Sequence, residues 1–240
     1  MRPVFLLITI FYISFINAFS LKDKLIKGNP GDYVVTEQVG TSSVLLIRTV
    51  TPTYMILEEI DTPATSKKPD GCSWKEWIAD GAPGHIAWTT YLIDLQTEEL
   101  KECYSRSPET LRPIWLPIND PYHFLPRLLS LPLNKTAHEN LKRIGPSPSP
   151  GELDHRAIWS PSLVVEGKKI DKPSMTAWQT RWPHDDSLLS ECAIELYFSS
   201  LPFPVWIEVR SPHYKVSLRA IDSGHGMVSP YPILLRTQLP

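Results

Sequence analysis

Cysteine is scarce in this chain: Cys72, Cys103 and Cys192 are the only three in 240 residues. No two of them stand at the short spacing of a zinc pair, and three half-cystines allow at most one bridge, so a disulfide scaffold is excluded. In an oxidising compartment Cys72 with Cys103 would close the shortest loop; three free thiols are the alternative. A block of one charge is missing too. Lys plus Arg number 24 against 26 Asp plus Glu, dispersed along the chain, which leaves no phosphate-binding face and excludes nucleic acid as a partner. There is no glycine-rich nucleotide loop, no His-x-x-x-His pair or His-Glu-x-x-His motif among the seven histidines, and no internal repeat, so neither a nucleotide cofactor nor a helical zinc site is implied.

Long apolar runs are absent after the first twenty residues. Those begin with Arg2, continue through an apolar stretch from Val4 to Phe15, and end at Ala18-Phe19-Ser20, the layout of a cleavable export signal. Ser14 and Asn17 interrupt the run before it reaches the roughly 20 apolar residues of a membrane span. The expectation is a signal peptide over residues 1–20 and a soluble mature chain from about Leu21. No cysteine follows for lipidation, so membrane attachment is peripheral or lacking, and the location expected is the periplasm, with secretion the alternative.

Proline is what the chain has in excess: 24 of 240 residues, about twice the usual frequency. That disfavours long helices and uninterrupted central strands. The segments "DYVVTEQV", "SSVLLIRTV", "TYMILEEID", "HIAWTTYLIDL" and "ELKECYSR" are β-branched, aromatic and separated by turn formers, which predicts an antiparallel meander from Asp32 to Arg106. Within it, Tyr91 and Ile93 fall on one face while Trp88 and Leu92 fall on the other, so both faces are partly apolar. Ser73 and Gly81 bracket a short helix carrying Trp74 and Trp77. A second helical region is expected over 122–144: Pro126 and Pro132 limit its first part around Leu128 and Leu129, and Thr136 with Glu139 form a capping box ahead of a stop at Gly145. Asn134-Lys135-Thr136 is also a glycosylation acceptor pattern. The proline-rich stretch 146–154 reads as a loop, after which come strands in "SPSLVVEG", "MTAWQTRW", "AIELYFSS" and the hairpin "VWIEVR"–"YKVSLRAI". Neither group of strands is sufficient alone. One β-rich domain over 21–240 is expected, with both groups in one sheet.

Two polar stretches invite catalytic or metal-binding interpretations. Asp222-Ser223-Gly224 ends a hydrophobic run as in aspartic proteases, but those need two such carboxylates and only one copy exists. His225 and Ser229, which would complete a serine-protease triad, crowd into the same turn. Asp222 is therefore expected to end a strand, with Gly224 at positive φ in the turn after it. His184-Asp185-Asp186 offers metal-compatible atoms, yet neighbours rarely converge on one ion unaided. No catalytic residue, metal or cofactor is assigned. Eight tryptophans serve either the core or an apolar groove for lipid or sugar.

An export signal, the meander "GDYVVTEQV", "SVLLIRTV" and "YMILEEI", the insertion "FLPRLLSLPL" and the closing "FPVWIEVRSPHYKVSLRAIDSG" resemble, in element order and hydrophobic pattern, the periplasmic lipoprotein-carrier superfamily. That resemblance implies a mainly β, α+β fold: one curved antiparallel sheet, an unclosed half-barrel, with short helices covering a concave face that receives acyl chains. The lining expected is Trp88, Leu92, Leu128, Leu129 and Trp206. The function expected is a non-enzymatic exported carrier of lipid, lipoprotein acyl chains or another apolar ligand, partnered by lipid or lipidated protein. The alternatives are an envelope structural or interaction module meeting other envelope proteins, and a hydrolase using Asp222 or His184.

Overall fold

The computed structural model describes residues 19–38, 40–65, 68–118, 124–149 and 151–237. Most of the expected leader lies outside them. Its last two residues are described and belong to the fold: β1 (Phe19–Ser20) leads directly into α1 (Leu21–Leu25). Ser20 is the α1 N-cap, in a capping box with Asp23, and it satisfies first-turn donors that would otherwise be orphaned.

The meander follows as β2 (Tyr33–Gln38), β3 (Thr41–Val50), β4 (Tyr54–Pro63), then α2 (Trp74–Ala79), β5 (Ala87–Asp94), β6 (Glu99–Arg106) and β7 (Pro113–Trp115). Gly40, at φ 82°, makes the tight β2–β3 turn, a conformation that a side chain would strain. α3 (Phe124–Ser130) ends before Pro132, and β8 (Pro132–Lys135) succeeds it. Beyond the loop at 146–154 come β9 (Leu163–Val165) and β10 (Lys168–Ile170), which pair as a separate two-stranded ribbon, then β11 (Thr176–Arg181), β12 (Ala193–Phe198), β13 (Pro204–Arg210) and β14 (Lys215–Gly224).

Twelve strands form one antiparallel sheet in the order β1-β8-β11-β12-β13-β14-β2-β3-β4-β5-β6-β7. It is curved and does not close into a barrel. The two ends of the chain meet at its centre, where β14 pairs with β2 through Ala220↔Thr36 and Gly224↔Tyr33. Strands on either side of the proline-rich loop therefore share one sheet, as expected from the small number in each group.

Strand alternation divides the side chains between two cores. Val34, Ile47, Met55, Leu57, Tyr91, Ile93, Ile194, Leu196, Val205, Ile207 and Val209 face the concave side, where α1 contributes Leu21 and Leu25 and α3 contributes Leu128 and Leu129. Tyr33, Val35, Val44, Leu46, Ile60 and Trp88 face the other side and pack with Trp74, Trp77 and Ile78 of α2. The helix at 73–81 thus forms where expected but covers the convex face, because its tryptophans dock on the face that Trp88 occupies. The concave cover is α3 together with α1, a helix whose cap the leader assignment had absorbed.

The second half of the 122–144 helix does not form. Residues Pro132–Lys135 join the ladder beside β11, and the Thr136 amide donates to the Ala177 carbonyl. Thr136 is therefore held in extended pairing rather than at a helix start, and only a single 3-10 turn, His138–Asn140, follows with Ala137 as its uncapped N-cap. A preformed sheet edge outcompetes the local helix signal.

Candidate functional site

β2, β3, β4, β5, β13 and β14 all send side chains to one end of the concave face. They come from the C-terminal part of β2 (Thr36, Gln38), the start of β3 (Ser43, Leu45), the second half of β4 (Glu59), the middle of β5 (Tyr91), the end of β13 (Ile207, Val209) and the start of β14 (Val216, Leu218). Antiparallel registry brings these stretches level: Ser43 lies opposite Thr36, and Val216 opposite Val209. They enclose a cavity of about 600 Å³ whose rim is made by Leu188 and Leu189 from the loop after β11 and by Tyr214 from the β13–β14 turn. Tyr214 fastens this rim through its hydroxyl, which contacts the Leu188 carbonyl and Cys192 Sγ.

The helices leave this end open for a simple reason of length. α3 has seven residues, about 10 Å of helix, whereas the ten-residue strands β3 and β4 run about 33 Å. α1, anchored by Lys22 to the Leu95 carbonyl and by Lys24 to the Ser199 carbonyl, sits with α3 at the opposite end of the face.

The cavity wall is mostly apolar, with Thr36, Gln38 and Ser43 as neutral polar members and Glu59 as its one carboxylate among the described residues. Glu59 accepts a hydrogen bond from the Tyr91 hydroxyl at 2.6 Å, and two residues further along β4 Asp61 accepts one from Ser43 Oγ. The Glu59 carboxylate is surrounded by protein in nearly every direction and keeps its solvent contact beside the cavity. Burial pushes its pKa up to about 7; the neighbouring Asp61 adds to the rise and the Tyr91 bond offsets part of it. Burial also raises Asp61, against the Ser43 bond, and Tyr91, whose ionisation Glu59 opposes as well. Among the described residues, no Lys, Arg or His lines the cavity and no cation assists the ionisation of either acid.

The residues expected to line a site are divided by the structure. Leu128 and Leu129 are on the concave side but are fully packed beneath α3 as core. Trp88 and Leu92 are buried on the opposite face, since they alternate with Tyr91; Trp88 lies edge-on to Tyr231 of the C-terminal segment. Trp206 also faces away from the cavity, alternating with Val205 and Ile207, and packs on Trp159 at 5.3 Å. None of the five borders the cavity. All eight tryptophans are buried or partly buried. Core packing thus accounts for them, and none forms a flat exposed aromatic patch.

Asp222 stands inside β14, two residues before its end, where it pairs with Val35 on the convex side. Its Oδ1 accepts from the Gly167 and Ser223 amides, binding the β9–β10 ribbon to the sheet. Gly224 is not at positive φ; Gly226 is, at 69°. What Gly224 supplies is space, because a Cβ there would fall 2.8 Å from Glu166 Cγ and 2.9 Å from the Tyr33 ring. His184 is exposed, while Asp185 is engaged by the Trp182 indole, Ser187 and Arg127. Among the described residues no three His, Cys, Asp or Glu side chains gather as a metal site. No disulfide forms among the described cysteines: Cys103 belongs to the concave core and Cys72 packs on the convex one, so the sheet separates the two that were expected to bridge.

Glu59, Asp61 and Tyr91 escaped the sequence reading. The signal for them is the alternation in "YMILEEID": Glu59 and Asp61 continue the face of Met55 and Leu57, so two acids stand where the strand predicts core.

The chain matches the protein-family model described as CT021 protein over residues 43–171, more than half its length. A solved 2.0 Å structure, the hypothetical protein CT021 from Chlamydia trachomatis, is 26% identical, with a TM-score of 0.65 over 91% of this chain and 98% of that one. No curated protein matches.

Proposed function

We propose that this chain, which belongs to the CT021 protein family, is a non-enzymatic binding or carrier protein that takes an apolar ligand into the open end of its curved sheet. The observation that carries this reading is the cavity of about 600 Å³ walled by Leu45, Leu189, Ile207, Val209, Val216 and Leu218. Its size falls in the range of small-molecule sites, roughly 300–1,000 Å³, and its mostly apolar wall with a few convergent polar groups is the usual composition of one. Lipid or a lipidated protein is the partner in this reading, and the leader pattern of residues 1–20 makes the setting an exported, periplasmic one. Among the described residues no helix is long and apolar enough to cross a membrane.

Binding fits the wall better than hydrolysis. Ser43 Oγ donates to Asp61 and the Tyr91 hydroxyl donates to Glu59, and among the described residues no imidazole or amine lines the cavity to draw a proton from either. Asp222 and His184, the acids and bases singled out in the sequence, do not reach the cavity.

The test is saturable binding of a neutral acyl-chain fluorophore to the purified protein, at one per chain, with displacement by lipid. Leu218→Glu, which places a charge on the wall, should abolish it without unfolding the sheet. A protein that takes up no such probe, or a Leu218→Glu variant that binds as the parent does, would refute the carrier role and favour an interaction module.

A further inference from the structure

Burying a carboxylate without a cation is costly, and proteins ordinarily compensate it from their own side chains. β4 shows both situations at adjacent residues. Glu58, on the convex face, is fully buried and paired with Arg48. Glu59, on the concave face, borders the cavity with a tyrosine hydroxyl as its hydrogen-bond donor, and with Asp61 behind Ser43 adding a second negative charge. The other end of the cavity, toward Val209, Val216 and Leu188, offers apolar contact. The site is therefore amphipathic, with its polar pole acidic.

Building on the carrier reading, we infer that the ligand is a single-chain cationic amphiphile, its protonated amine seated against Glu59 and its hydrocarbon chain along Ile207, Val209, Val216 and Leu218. An ammonium supplies three donors on a compact charge, and charge-assisted bonds in a water-poor pocket are the strong ones. An anionic head such as a free fatty acid would instead meet Glu59 and Asp61 with like charge, which costs affinity.

The groups facing Glu59 set its pH behaviour. On β4 this is Asp61, on β5 Tyr91 with Cys103 behind it, and at the rim Tyr214; β2 and β3 contribute the non-titrating Thr36, Gln38 and Ser43. With its pKa near 7, Glu59 holds a proton in mildly acidic solution and loses it above neutrality. Cation binding should therefore strengthen as pH rises, and should release a proton when it occurs near neutral pH.

The test displaces the neutral probe N-phenyl-1-naphthylamine from the purified protein with decylamine, 1-decanol or decanoate, which share one chain and differ in head charge. Near pH 8 decylamine should compete at a concentration about tenfold below decanol, with decanoate the weakest. Glu59→Gln, which keeps an acceptor for Tyr91, should bring decylamine to within about twofold of decanol. Tyr91→Phe should retain the amine preference, which checks that charge rather than the hydroxyl confers it. Equal competition by decylamine and decanol on the parent, or an amine preference that survives Glu59→Gln, overturns the inference while leaving the carrier reading intact. Absence of binding by the probe and all three competitors overturns both.

Discussion

Replacing Glu59 by glutamine should make the protein more stable, and only above acidic pH. In the folded chain burial, and secondarily Asp61, lift the Glu59 pKa from an ordinary 4.5 to about 7. Below about pH 4.5 the acid is protonated whether the chain is folded or not, so it contributes nothing to the pH dependence. Between about 4.5 and 7 the unfolded chain ionises while the folded one keeps its proton, and stability falls as pH rises; above about 7 the loss is complete. At 1.36 kcal/mol per pH unit that interval corresponds to roughly 3 kcal/mol, an upper bound because water in the cavity solvates part of the charge. Glutamine cannot ionise and can still accept from the Tyr91 hydroxyl, so it removes the penalty without stranding a donor. Urea unfolding followed by tryptophan fluorescence should find parent and variant nearly equal near pH 4.5, and the variant more stable by up to about 3 kcal/mol near pH 8. A difference of the same size at both pH values would show that Glu59 does not titrate between them. A variant less stable near pH 8 would mean that the carboxylate has a cationic partner, and the account of the cavity would fail with it.

Thiol titration should find Cys72 reactive in the native protein, and Cys103 and Cys192, both buried, reactive only after unfolding; a Cys72–Cys103 disulfide on a peptide map would contradict the separation of the two cores. Leu128→Ala should cost about 2–5 kcal/mol, since the side chain is fully buried beneath α3, and a loss below about 1 kcal/mol in urea unfolding would show that α3 is not packed as described. Asp222→Asn preserves an acceptor for Gly167 and Ser223 and should cost no more than about 1 kcal/mol, whereas Asp222→Ala strands both amides at roughly 1–3 kcal/mol; equal effects of the two would refute that role. N-terminal sequencing of exported protein should find Phe19 rather than Leu21, because cleavage after Ser20 would remove the α1 cap at a cost of about 1 kcal/mol, together with the Phe19–Trp178 stack at 4.3 Å; a mature chain beginning at Leu21 would show that neither is needed.

The strands were legible because their signal is local. Period-two alternation in the β13–β14 hairpin needs no knowledge of what lies opposite, and the pairing of both groups of strands into one sheet follows from how few each contains. The side of the sheet on which a helix lies is a different kind of fact. Trp74 and Trp77 predict that α2 buries a face, but the choice of the Trp88 side rests on the path of the connections, to which periodicity is blind. Thr136-x-x-Glu139 failed for a related reason: capping chemistry is a weak preference, and the ladder to β11 supplied a backbone partner that the isolated segment lacks. Gly224 was expected to be hard to replace because of a positive φ that it does not have; what restricts it is the closeness of Tyr33 and Glu166, a long-range fact.

The candidate site was hidden by an assumption about acids. "TYMILEEID" reads only as a strand of the meander, with no role for its acids, yet β4 pairs on both sides and carries core residues on both faces. In such a strand two consecutive glutamates cannot both escape burial, because successive side chains point to opposite faces. One must be held inside, and a buried acid needs a partner. For Glu58 the chain supplies it from β3, through Arg48, whose other amino group holds the Tyr231 carbonyl of the C-terminal segment. On the concave side β3 sends Leu45, and the more distant β13 sends Ile207 and Val209, toward the cavity, residues suited to hydrocarbon rather than to charge. The two halves of that wall ask for different things of whatever fills it, and a molecule with an apolar chain and a positive end meets both demands.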